Sequence, residues 1–250
     1  MKLVKFIYKK NIHWGIVEED NIVLLKEPPY TSIKLTSKKI PLSKVKILPP
    51  ADPSKIILVG LNYKDHAKEL NMPLPKEPII FLKPPTTLIA HQENIIYPKG
   101  VKRLDYEAEL AVVIKKRAKN ISVKEAKDYI LGYTCLNDIT ARDLQKKDGQ
   151  WTRAKSFDTF CPLGPYIVTN IDPSNLRIQT FVNGVLRQDS STSNIIFSPF
   201  YLVSFISKIM TLLPEDIIST GTPPFVGPLK IKDTVEIVIE KIGLLRNYVK

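Results

Sequence analysis

Leu104-Asp-Tyr-Glu-Ala-Glu-Leu-Ala-Val-Val-Ile114 carries the reading of this chain. From Leu110 onward it is a short apolar run rich in β-branched residues, the pattern of a buried strand. Successive side chains of a strand point to opposite faces, so Glu107 and Glu109 share one. Two carboxylates side by side on a part-buried sheet repel each other and resist desolvation. The pattern therefore calls for a cation between them. A third carboxylate, Asp138, ends the apolar run that starts at Gly132. It would complete an oxygen face for a hard divalent ion. The plainer alternative is a solvated acidic pair at a strand start.

Outward from this stretch the chain reads as many short strands. Residues 1–50 form a small β-rich unit, with runs at Leu3–Tyr8, His13–Val17 and Asn21–Leu25 separated by turn formers. Pro49-Pro50-Ala-Asp-Pro53 marks a boundary, because such a run continues neither a helix nor a central strand. Residues 51–250 are the main domain, with strands at Lys55–Gly60 and Ile79–Lys83. Late strands lie at Ile217–Ile218, Leu229–Ile231 and Val235–Ile239. Asn62–Leu70 reads as a loop entering a short helix, and Asn62–Pro75 as a mobile lid with little apolar packing. Ser122 and Glu125 have capping-box spacing and predict a helix to about Ile130. Apolar residues at helical spacing predict a second over Phe197–Met210. The order is not an alternating βαβ series, so the fold class is mixed β with few helices, α+β.

Composition narrows the class further. A hydrophobic share of 44% and a charged share of 25% are those of a globular protein. No apolar stretch reaches the ~20 residues of a membrane span. The start lacks a signal-peptide core, so the reading is a cytoplasmic protein without a membrane partner. Cys135 and Cys161 sit in apolar surroundings and read as buried free thiols. A formal charge of +12 invites a nucleic-acid-binding reading, the alternative of a different class. The basic residues are scattered as doublets and triplets, however, which argues against nucleic acid and suits recruitment of a small anionic substrate.

From Lys55 to the C-terminus the chain resembles the fumarylacetoacetate hydrolase family. The resemblance rests on Gly60-Leu-Asn-Tyr-Lys-Asp-His-Ala-Lys-Glu69, Phe81-Leu-Lys-Pro84, Asp105–Ile114, Gly132–Gln145, Trp151–Pro165, Val182-Asn-Gly184, Arg187-Gln188 and Ser219-Thr-Gly-Thr-Pro223, in the family's order. It implies a mixed β-roll catalytic domain, a divalent metal (Mg²⁺ or Mn²⁺) and a homodimer. Carried over, the metal carboxylates fall on Glu107, Glu109 and Asp138. The His-x-x-Glu pair falls on His66 and Glu69, the active-site lysine on Lys155, and substrate contacts on Arg142, Gln145 and Thr222. Two departures stand out. Lys232-Asp233 replaces the usual Gly-Asp, and Ile89–Asn94 lacks the usual Gly-Pro-rich turn.

The residue chemistry agrees with this. Three carboxylates leave octahedral positions open for the carboxylate and keto oxygens of a 2-oxo acid, and the ion would stabilise an enolate. His66 and Glu69, three apart on a helix, share a face as an acid/base pair. Lys155, between Trp151 and Phe157, supplies positive charge for an oxyanion. Lys83 reads either as a pocket residue or as an edge residue. The favoured activity is hydrolysis of a C–C bond in an acylpyruvate-like 2-oxo or 1,3-dicarbonyl acid through a metal-bound enolate. The runners-up are 2-hydroxyhepta-2,4-diene-1,7-dioate isomerisation and oxaloacetate-type decarboxylation; dehydration of sugar-derived 2-oxo acids is more distant.

Overall fold

The run Leu110–Ile114 is apolar at every position because its strand is covered on both sides. In the computed structural model, which describes all 250 residues, the strand spans Ala108–Ile114 and is wholly buried. Ala108, Leu110, Val112 and Ile114 enter the largest core, while Ala111 and Val113 enter a second core on the other face. Full burial of a Val, Leu or Ile side chain contributes roughly 1.5–3 kcal/mol, so this strand fixes the sheet around it.

That sheet has twelve strands. Beyond Ala108–Ile114 on one side lie Ile217–Ser219, Ile56–Val59 and Ile80–Lys83. On the other lie Ile130–Asn137, Cys161–Val168, Lys2–Tyr8, Asn11–Glu18, Asn21–Leu25 and Leu35–Pro41. A five-stranded sheet built on Arg177–Val182, Thr234–Ile239 and Gly243–Val249 feeds Ile178, Ile237 and Leu245 into the largest core. Leu104–Tyr106, Thr140–Ala141 and Gly227–Leu229 form a three-stranded ribbon. Only four α-helices accompany these strands: Lys64–Glu69, Arg142–Asp148, Thr152–Lys155 and Pro199–Ile209. The mixed-β architecture expected from the sequence is the one the chain adopts. No helix is long and apolar enough to cross a membrane.

The N-terminal strands make a small core of their own from Val4, Phe6, Ile22, Leu24 and Ile40. They also extend the main sheet, since Lys2 and Leu3 pair with Val168 and Ile167. Lys5 reaches across to an ion pair with Asp52.

The helix predicted from Ser122 is not formed. The reciprocal bonds are present, Ser122 N to Glu125 Oε2 at 2.8 Å and Glu125 N to Ser122 Oγ at 3.4 Å. They lead only into a 3₁₀ turn, Ala126–Tyr129, because Ile130 begins a sheet strand and the Tyr129 carbonyl accepts from Lys115 N. Phe197–Met210 is helical over Pro199–Ile209, with the Ser198 side chain capping Tyr201 N. Ile231 lies outside its expected strand, which spans Gly227–Leu229. The two departures from the family pattern resolve into tight turns. Lys232 adopts φ +80° where glycine is usual, and Asp233 Oδ2 accepts from Lys230 N at 2.7 Å. In the other turn Gln92 has φ +67° and Glu93 Oε2 accepts from Ala90 N.

Gly132 is required by close approach. A Cβ there would meet the Val168 carbonyl oxygen at 2.5 Å and Ile167 Cγ2 at 2.7 Å, across the strand pair that carries Asp138 at its far end. Gly132→Ala is expected to destabilise the protein by about 1–3 kcal/mol through overpacking, measured as a lowered denaturation midpoint at unchanged slope.

Candidate active site

Strand register assembles the carboxylates. Ala108 pairs with Asn137 and Glu109 with Leu136, so Asp138, one residue past the strand end, arrives opposite Glu107. The juncture is locked by Glu107 N donating to Asn137 Oδ1 at 3.0 Å and Asp138 N donating to the Glu107 carbonyl at 2.9 Å. Glu107, Glu109 and Asp138 are all buried and offer oxygens within 4.8 Å of one another.

Cations surround the group unevenly. Lys155, carried on Thr152–Lys155 and buried, donates to Glu107 Oε2 at 2.9 Å and to Asp138 Oδ2 at 2.5 Å. Arg142 bonds Glu107 Oε1, Asp105 Oδ2 and Gln145 Oε1. Burial works against ionisation of Glu107, but Lys155 and Arg142 overcome it and bring its pKa down to about 2. Burial opposes the charge on Lys155 too, yet Asp138 and Glu107 hold its pKa above the usual lysine range. Glu109 has no cation of its own. Its Oε2 accepts only from Ser219 Oγ and Gly221 N. Burial, then Asp138, then Glu107 push its pKa well above the ordinary carboxylate range.

These residues fit a divalent ion. The donors are hard oxygens, and Glu109, unlike Asp138 with its Oδ1 beside Lys83, is a buried carboxylate without a counter-charge. Lys83 Nζ lies 2.5 Å from that oxygen as an ion pair. It directs its hydrogen bonds to the carbonyls of Ile139 and Phe160. Lys83 is thus a fully buried cation behind Asp138, on the outermost strand Ile80–Lys83 and outside the lining of the cavity described below.

A cavity of about 370 Å³ opens over the carboxylates. His66, Glu107, Glu109, Asp138, Arg142, Gln145, Lys155 and Thr222 line it, so the structure brings together the residues singled out in the sequence. Glu69 stands behind them. Its Oε2 is 2.7 Å from His66 Nδ1, and its Oε1 accepts from Phe225 N at 3.0 Å. A carboxylate only accepts, so Nδ1 carries a proton, and in the neutral ring Nε2 keeps the free lone pair.

The lid expected over Asn62–Pro75 is divided. Asn62 is fully buried, donates to the carbonyls of Thr220 and Phe197, and accepts from Phe197 N. Asp65 is held by Ser190 and Asn194. These bonds fix the helix bearing His66, and only the stretch from Lys68 to Leu74 is continuously exposed.

Sequence reasoning assigned no role to Asp105, Gln188 or Ser219. Asp105 lies two residues before Glu107, so strand alternation could have placed it on the same face; it is fully buried and pairs with Arg142 and Arg103. Gln188 is a buried tie. It accepts from Ala108 N and Thr180 Oγ1 and donates to Thr222 Oγ1 at 3.1 Å and to the carbonyls of Pro223 and Pro224.

The model of the fumarylacetoacetate (FAA) hydrolase C-terminal family matches residues 55–250, and an Rv2993c-like N-terminal model matches residues 1–50. The chain belongs to the fumarylacetoacetate hydrolase family. It is similar to a mitochondrial oxaloacetate tautomerase of Bos taurus, 44% identical over 84% of this chain and 71% of that protein. The solved structure of a 5-carboxymethyl-2-hydroxymuconate delta-isomerase from Mycobacterium smegmatis is 43% identical with TM-score 0.94, covering 100% of this chain and 99% of that one. A maleylpyruvate hydrolase from Sphingobium, solved with manganese(II) and pyruvate, is 29% identical with TM-score 0.82, covering 100% and 98%. Members of this family include isomerases, tautomerases and hydrolases, which supports an enzyme here.

Glu109→Gln separates the two consequences of the buried charge. A carboxyl whose folded-state pKa is raised contributes stability at low pH and loses it as pH rises toward the folded value. Without metal, Glu109→Gln is expected to melt above the wild type at pH 8, with the difference shrinking as pH falls. The upward thermal shift produced by Mn²⁺ in the wild type should vanish in the variant. Calorimetric scans with and without Mn²⁺ check both.

Proposed function

We propose that this protein is a Mg²⁺- or Mn²⁺-dependent enzyme that moves a proton at the carbon next to the keto group of a 2-oxo acid, as a tautomerase or isomerase. The supporting observation is the His66–Glu69 pair facing three buried carboxylates across one cavity. A divalent ion held by Glu107, Glu109 and Asp138 would supply Lewis-acid polarisation of the keto group.

The chain's own residues do the rest. Glu69 accepts from Nδ1 and holds the ring in the tautomer whose Nε2 is a base. His66 takes a proton from the carbon beside the keto group and returns it at a second position, and the Glu69 carboxylate stabilises the imidazolium between the two steps. Lys155 and Arg142 keep Glu107 ionised, while Gln145 and Thr222 offer polar contacts to the bound acid. Phe81 and Trp151, packed edge to face at 5.1 Å, wall the cavity and limit water there. The same reading includes a homodimer. Leu70, Met72 and Ile79 line the cavity yet are about half exposed, an apolar rim that a second copy would cover.

Hydrolysis of an acylpyruvate, the activity the sequence favours, is the second reading. It uses the same pair to activate water, and the likeness to a maleylpyruvate hydrolase supports it. The isomerase and tautomerase relatives are more similar to this chain, at 43% and 44% against 29% identity, which sets the order.

A panel of oxaloacetate, 2-hydroxyhepta-2,4-diene-1,7-dioate and acetylpyruvate with Mg²⁺ tests both readings. Ultraviolet absorbance follows the enol, and NMR in D₂O follows exchange beside the keto group. Catalysed exchange or isomerisation without C–C cleavage is expected; cleavage products would favour the hydrolase. His66→Ala should lower kcat by about 10²–10⁴-fold and leave Mn²⁺ affinity near the wild-type value. Wild-type turnover in His66→Ala would sink this assignment of the base.

A further inference from the structure

Strands Ala108–Ile114 and Ile130–Asn137 carry the carboxylates at one end. At their other ends, Lys115 and Lys116 on one side and Ile130 and Leu131 on the other line a second cavity, of about 530 Å³. Glu109 and Lys115 are six residues apart along an extended strand, which at ~3.3 Å per residue separates the two cavities by roughly 20 Å. Thr31, Ser32 and Ile33 of the N-terminal unit also line this second cavity, so it lies at the seam between that unit and the main domain. Its charge is one-sided. Lys115, Lys116 and Lys127 line it, with Asp128 as the one acid. The three lysines are exposed, and none takes part in an ion pair. The Lys116 ammonium stands over the Tyr129 ring, 4.4 Å from its centre. The adjoining loop strengthens the field. Residues 115–128 hold six cations, Lys115, Lys116, Arg117, Lys119, Lys124 and Lys127, against Glu125 and Asp128. Glu125 is engaged by the N–H and hydroxyl of Ser122. This short segment therefore supplies a third of the formal charge of +12.

Like charges gathered around a concavity focus a positive potential there. They suit an anion that meets several of them at once. An ammonium is a point charge that binds phosphoryl oxygens well, whereas planar pairing with a single carboxylate is the strength of arginine. Thr31 and Asn170 add a hydroxyl and an amide whose side chains make no hydrogen bond within the fold and are free to donate to further oxygens. Ile33, Ile130 and Leu131 give the lining an apolar share for an attached organic group, and the volume is that of a small-molecule site. We propose that this seam cavity is a binding site for a diphosphate-bearing anion, either free pyrophosphate or a nucleoside diphosphate. The site shares no residue with the carboxylate cavity, and its assignment stands apart from the reaction proposed there.

Isothermal calorimetry on the full chain tests this, with pyrophosphate, ADP and sulfate as probes and EDTA present so that no metal carries phosphate to the carboxylates. Pyrophosphate and ADP are expected to bind more tightly than sulfate, and high salt should weaken both. ADP ahead of pyrophosphate identifies a nucleotide site, and the reverse order a site for the free diphosphate; either supports the proposal. Lys115→Ala, Lys116→Ala and Lys127→Ala should each weaken binding about two- to fivefold, the range for one exposed ion pair, and Lys116→Arg should retain it. The triple alanine variant should lose binding while melting at the wild-type temperature without ligand, since all three side chains are exposed. Alanine at Lys99, Lys230 and Lys250 removes the same formal charge outside the cavity and should leave binding unchanged. Wild-type affinity in the three single variants overturns the site, as does an equal loss in the charge control, sulfate binding as tightly as pyrophosphate, or a wild type that binds neither diphosphate. A single-stranded oligonucleotide that outcompetes ADP and loses affinity in the same lysine variants overturns the small-ligand assignment in favour of nucleic acid.

Discussion

Burying like charges together is the constraint on which the rest of this structure depends. Glu107, Glu109, Asp138 and Asp105 are packed into the end of a sheet where water cannot screen them. Each ion taken out of water costs several kcal/mol unless it is paired and hydrogen-bonded. The chain responds by burying Lys83 and Lys155 outright and by folding Arg142 over the group. Lys83 comes from one neighbouring strand, and Arg142 and Lys155 from two short helices that follow Asp138. The compensation is incomplete at Glu109, and that shortfall is what fits the group to a further cation.

Much of this was legible in the sequence, for identifiable reasons. Period-two alternation put Glu107 and Glu109 on one face, and the apolar run after them announced a strand that tolerates no water on either side. The strands of residues 1–50 showed themselves by short apolar runs between turn formers, although their continuation into the main sheet through Leu3 and Ile167 depends on a pairing no local pattern reveals. The helices Arg142–Asp148 and Thr152–Lys155 were invisible because they have no apolar stripe; their inward faces are polar and are satisfied by residues far away in sequence. The Ser122–Glu125 box misled for the opposite reason. Its local bonds form, but the demand of the sheet for Ile130 ends the turn before a helix can grow. Lys83 was undecidable from sequence, since only the fold sets Asp138 against it.

His66 is held with equal economy. Asn62 ties the entry of its helix to Thr220 and Phe197, Asp65 ties the middle to Ser190 and Asn194, and Glu69 ties the end to Phe225. Three anchors from separate parts of the chain thus fix His66. Gly221 belongs to the same arrangement, because a Cβ there would approach Asn62 Cβ to 2.9 Å while its N–H reaches Glu109. The His66–Glu69 pair and the carboxylate group are therefore set in position by a shared turn, Ser219–Thr222.

That turn has a consequence for biosynthesis. Ile217–Ser219 lies between Ala108–Ile114 and Ile56–Val59, so a strand made late by the ribosome occupies the middle of the sheet. Until it emerges, the two earlier strands face each other across an empty slot with unpaired backbone edges, which invite association with other chains. At synthesis rates of about 5–20 residues per second, that exposure lasts several seconds or more.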